Sequence, residues 1–175
     1  MRGIKRSQGS TSKPHLPITI KHLQLFREFL QPDTTTNCDN KMIWSAICIA
    51  FFGFLRISEF TCDNVKRFHS GTLTREDVQF YPSASDATSV SLNIKASKTD
   101  PFRKGMNLII RATGSEICPV RALNDYLLTA NLSAGPIFMY RNGKPLSRTL
   151  SRKRSEICFL LEVSKQSTTP VTALE

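Results

Sequence analysis

Residues 43–55 read Ile-Trp-Ser-Ala-Ile-Cys-Ile-Ala-Phe-Phe-Gly-Phe-Leu, an apolar run broken by Ser45 and Gly53, and it ends on Arg56 with Glu59 three residues later. A helix that is apolar all round is buried, and this run is too short to cross a bilayer. The chain must therefore build a core around it. A helix is expected over about 40–57, with Asp39 as its cap. Arg56 and Glu59 then place a cation and an anion on one helical face. Two readings fit that pair. A buried guanidinium is costly unless it is paired, so the pair can be a salt bridge closing a core helix. It can also be an anion clamp, with Glu59 holding the arginine fork toward a phosphate.

Charge favours an anionic partner. The 175 residues carry 24 Lys and Arg against 14 Asp and Glu, a net charge of +10. Nucleic acid is the commonest partner for such a balance. The cations cluster: Arg141, Lys144, Arg148, Arg152, Lys153 and Arg154 fall in one stretch with no acid among them. That stretch reads either as a phosphate-facing surface or as a solvated helix face. The five cysteines are widely spaced without a Cys-x-x-Cys, so neither a zinc site nor thioredoxin-like redox chemistry is suggested. The basic N-terminus has no apolar stretch behind it and is no secretory signal. The expectation is a soluble intracellular protein, nuclear in a eukaryotic host, that makes no use of a membrane.

The order of elements points to an α+β domain, mainly helical with a small three-stranded antiparallel sheet. Residues 1–16 are polar and basic and read as a linker or arm. A helix follows with Thr19 as its cap and Ile20, Leu23, Phe26, Phe29 and Leu30 as its apolar positions. Beyond the apolar helix the period changes to two, with strands expected over 77–81, 90–95 and 106–110. The last two are joined by a loop too short for a helical crossover, so they pair antiparallel. Cys118-Pro119 opens another helix, with Val120, Leu123, Tyr126, Leu127 and Leu128 inward. A short extended piece over 136–140, an Asn142-Gly143 turn and a basic helix over about 147–162 complete the domain. Residues 164–175 show no periodicity and are expected to be disordered.

The loop between the last two strands reads Lys95-Ala96-Ser97-Lys98-Thr99-Asp100-Pro101-Phe102-Arg103-Lys104-Gly105. It is either an ordinary solvated turn or a device that delivers a lysine to a phosphate, where it can protonate a leaving oxygen. Together with Phe51-Phe52-Gly53-Phe54-Leu55-Arg56-Ile57-Ser58-Glu59-Phe60-Thr61, Ile117-Cys118-Pro119-Val120-Arg121-Ala122-Leu123 and Gly135-Pro136-Ile137-Phe138, this loop resembles the tyrosine recombinase (phage integrase) family, most of all its metazoan, mobile-element-derived branch. The resemblance covers roughly residues 14–160.

That resemblance implies a fold like the DNA breaking-rejoining enzymes and a role in DNA recombination and integration through a 3′-phosphotyrosyl intermediate, with no cofactor. It implies that Arg56 grips a non-bridging phosphate oxygen, that Glu59 supports it, and that Lys98 is the hairpin lysine, with Lys95 second to it. Lys95, Arg103, Lys104, Arg148, Arg152, Lys153 and Arg154 are then DNA-binding candidates, and other recombinase subunits are possible partners. The family also needs a His-x-x-Arg motif followed by a nucleophilic tyrosine. His15, His22 and His69 are each followed at the third position by a residue other than arginine, and Tyr81, Tyr126 and Tyr140 lie too early. The expectation is a partial catalytic domain over 17–163, truncated at its C-terminus, with a divergent tail and no cleavage activity of its own. Two alternatives stand beside it: a non-catalytic nucleic-acid-binding module, and an interaction partner of full-length recombinases.

Overall fold

The computed structural model describes residues 17–33, 37–63, 71–95, 104–131 and 134–148. Among these residues the chain is α+β, with four α-helices and one three-stranded antiparallel sheet. The elements are α1 (Ile20–Leu30), α2 (Cys38–Phe52), α3 (Ile57–Phe60), a 3-10 turn (Arg75–Asp77), β1 (Val78–Tyr81), β2 (Ser89–Ile94), β3 (Met106–Arg111) and α4 (Pro119–Ala130). Among the described residues no helix is long and apolar enough to cross a membrane.

α2 is the centre of the fold, buried along most of its circumference through Met42, Ile43, Trp44, Ala46, Cys48 and Ile49. It packs on α4 and α1. Its cap is Asn37 rather than Asp39: the Asn37 side chain accepts from the Asn40 amide at 3.2 Å. Asp39 sits in the first turn and accepts from the Arg141 amide at 2.7 Å, tying the 140–144 turn to this helix. In α1 the buried stripe is Leu23, Phe26 and Leu30, while Ile20 and Phe29 face outward. Leu128 is likewise exposed on α4. Helical period explains all three, because a stripe one residue wide per turn leaves its flanking apolar positions outside.

The apolar helix does not reach residue 57. It stops at Phe52, and the chain turns before Arg56. The Phe54 amide donates to the Phe51 carbonyl at 3.5 Å and the Leu55 amide to the Ala50 carbonyl at 3.0 Å. This is a Schellman ending, in which the residue at Phe54 takes the left-handed conformation, here with φ 51°. Gly53 stands one position earlier. A Cβ at Gly53 would lie 2.7 Å from the Ile49 carbonyl and 3.0 Å from Leu108 Cδ2 of β3. Gly53 thus sits where a side chain would crowd both the helix's own carbonyl and the sheet, and the left-handed position falls on Phe54.

The sheet order is β1-β2-β3, with Val78 opposite Leu92 and Ile94 opposite Met106. Val78, Phe80, Val90, Leu92, Ile94 and Ile110 turn one face into the same core as the helices. The alternation Val90, Leu92, Ile94 against Ser91 and Asn93 places β2 as the half-buried strand its sequence describes. After α4, the chain returns through extended segments. Ile137 donates to the Leu73 carbonyl at 3.0 Å, Leu146 to Phe138 at 2.8 Å, and Cys62 to Leu146 at 3.0 Å. Ser147 forms a parallel bridge with Cys62, and the helix expected from about that residue starts at Arg148. The remainder of that helix lies outside the described residues.

Candidate nucleic-acid interface

Arg56 lies at the start of a new, four-residue helix. It is the residue before α3, with extended φ and ψ of −74° and 145°. Glu59 holds it from below. One carboxylate oxygen accepts from the Arg56 amide at 2.9 Å and the other from Nη1 at 3.4 Å. The Glu59 amide in turn donates to the Arg56 carbonyl at 2.8 Å. The pair therefore differs from the expected one in which member is buried. The Glu59 side chain is 8% exposed and the Arg56 side chain 48%. The carboxylate is the buried anchor, and the guanidinium reaches outward.

α3 is fixed to the core through aromatic rings. Phe60 meets Phe138 edge-on at 6.0 Å, and Phe138 stacks on Tyr126 at the same separation. The Tyr126 hydroxyl accepts from the Met139 amide at 2.9 Å and donates to the Met139 carbonyl at 3.2 Å. Burial pushes the Tyr126 phenol well above its ordinary range, against the opposing pull of the Met139 amide. Tyr126 is thus a core residue that supports α3, consistent with reading it as structural. Tyr140 is also buried and closes the turn at Gly143, whose amide donates to its carbonyl at 2.9 Å.

Lys95 directly follows β2 and lies 2.7 Å from Asp77. The same Asp77 oxygen accepts from the Thr74 amide at 2.8 Å and the Thr74 hydroxyl at 2.7 Å. Lys95 is therefore the counter-ion of a buried carboxylate that pins the base of the β2–β3 hairpin. Sequence reasoning missed Asp77 and Thr74, since nothing local links them to Lys95. The Thr-x-x-Asp spacing was the available signal. Lys104 is exposed just before β3. Arg148 pairs with Asp63 at 3.1 Å, both half-exposed. Lys98, Arg103, Arg152, Lys153 and Arg154 lie outside the described residues. A separate open groove of about 680 Å³ runs between α1 and the 113–117 turn, bordered by Ile20, Arg27, Phe52 and Glu116. It contains none of the predicted site residues.

The chain is similar to a bacterial recombinase. It is 27% identical over 158 residues to an integrase/recombinase xerD homolog from Selenomonas ruminantium. The match covers 90% of this chain and 40% of that protein, so the chain spans well under half the length of this relative. No family model matches the sequence.

Proposed function

We propose that this chain binds DNA as part of a tyrosine-recombinase-type catalytic domain, in which Arg56 grips a backbone phosphate. The observation that carries this is the Arg56–Glu59 unit. A buried carboxylate holds the arginine's own backbone amide while the guanidinium stays half in solvent. That arrangement preorganises a fork for an anion rather than consuming it in a closed salt bridge. The net charge of +10 and the likeness to an integrase/recombinase support the same reading. Lys98, which in sequence falls between the paired strands β2 and β3, is the proton donor to a leaving oxygen in this proposal. We extend the proposal to the mobile-element branch, to a fold of the DNA breaking-rejoining type and to action in the nucleus.

These 175 residues hold no His-x-x-Arg and no tyrosine placed to attack, so they bind without cutting. A labelled duplex titrated by fluorescence anisotropy tests the binding. Affinity should fall steeply with salt as condensed counterions are released. Arg56→Ala should weaken it about tenfold at low salt and lower the salt slope by about one. Binding that ignores both salt and Arg56 would refute the phosphate grip. A covalent adduct on a nicked suicide substrate would refute the absence of cleavage.

A further inference from the structure

Phe54 is the least economical residue in the described structure. It is 93% exposed, it occupies the left-handed region at φ 51°, and it does so at the Schellman position where glycine costs nothing. Only Gly, and less often Asn or Asp, visits this region without penalty. The exposed ring loses nothing on substitution by packing, since it touches no core. Strain held at a solvent-exposed aromatic is the pattern of a residue kept for a ligand rather than for the fold.

The ligand follows from its neighbour. Arg56 is two residues on. Two residues span at most about 7 Å, which is about two rises of 3.4 Å along one DNA strand. A nucleotide whose phosphate is held by Arg56 therefore lies within side-chain reach of Phe54. We infer that Phe54 is a stacking residue for a nucleobase beside the phosphate that Arg56 holds, and that its left-handed backbone is what turns the ring to that place. This rests on the DNA reading above. It adds a contact that carries no charge and needs an unpaired or unstacked base. Stable burial of Phe54 against a protein segment is the competing occupant. The cation beside it favours the polyanion.

The test uses the full chain with a fluorescein-labelled duplex and the same duplex carrying a short single-stranded gap. Phe54→Gly should raise Tm by about 2 °C by releasing strain, yet lower affinity for the gapped duplex about tenfold. The salt slope should stay that of the wild type, because stacking releases no counterions. Phe54→Trp should keep the affinity, and Phe54→Leu should lose it as the glycine variant does. Full affinity in Phe54→Leu would show that no ring is stacked on a base and overturn the inference. Unchanged affinity in Phe54→Gly, with Arg56→Ala still weakened, would overturn it while leaving the phosphate grip intact. Absence of DNA binding by the wild type at low salt would remove both.

Discussion

Two carboxylates in this molecule are built alike and used differently. Glu59 and Asp77 are each buried, and each sits three residues after the residue whose backbone amide it accepts, Arg56 at 2.9 Å and Thr74 at 2.8 Å. Among the described residues each also meets a cation. At Asp77 the cation arrives from another element, and Lys95 closes on the oxygen at 2.7 Å. At Glu59 the cation is the capping residue itself, and its guanidinium stands off at 3.4 Å with nearly half its surface in water. A lysine that reaches in across the fold is spent on the fold. An arginine whose own backbone is held by the carboxylate is braced and still presented. The same local turn thus makes a structural clasp at the hairpin base and a binding element at the end of the apolar helix.

Asp77→Ala is the largest way to break that comparison. It leaves Lys95 and two Thr74 donors without their acceptor. Since Lys95 is about one-third exposed, the cost should be about 2–3 kcal/mol, below that of a fully buried pair. Urea unfolding measures it, and a loss under about 0.5 kcal/mol would show the clasp to be idle. Glu59→Ala should cost less, about 1–2 kcal/mol, as the loss of one helix-start hydrogen bond and a half-exposed ion pair. It should also weaken DNA binding, because the guanidinium loses its brace. Arg56→Ala should do the reverse, sparing stability within about 0.5 kcal/mol while weakening binding. If both variants lose stability equally and neither alters binding, Arg56 and Glu59 form a second clasp and the contrast fails.

The parts of this fold that follow local rules were readable in advance. Period-two alternation located β2 and β3, proline at the first turn located α4, and the Arg-x-x-Glu spacing singled out two residues that meet in the fold. What the sequence hid was set by contacts between elements. The end of α2 could not be placed because Gly53 reads as an interior flaw in an apolar run. Its role comes from close approach on two sides, since a Cβ there would lie 2.7 Å from the Ile49 carbonyl of α2 itself and 3.0 Å from Leu108 of β3. With Gly53 at the cap, the left-handed position falls on Phe54, against every local preference. The inversion of burial between Arg56 and Glu59 has the same origin, since the early end of α2 lifts Arg56 out of the core helix. Lys95 looked like a loop cation because its partner, Asp77, belongs to a different turn.

The smallest effect sharpens what a satisfied carboxylate contributes by comparison with a buried polar group that has nothing. Ser45 lies in the middle of α2 with no exposed surface, and its hydroxyl has no hydrogen-bond partner among the described residues. Glu59 and Asp77 justify their burial through donors aimed at their oxygens, while Ser45 bears a desolvation cost with no return. Its replacement by alanine removes that cost and adds helix propensity, at the expense of a void smaller than a methyl group. Ser45→Ala should therefore stabilise the chain by about 1 kcal/mol, read as a higher urea midpoint at unchanged slope. A loss of stability instead would mean that the hydroxyl is bonded after all, to a buried water or to a part of the chain outside the described residues. The helix interior would then hold a third satisfied polar site beside the two carboxylates.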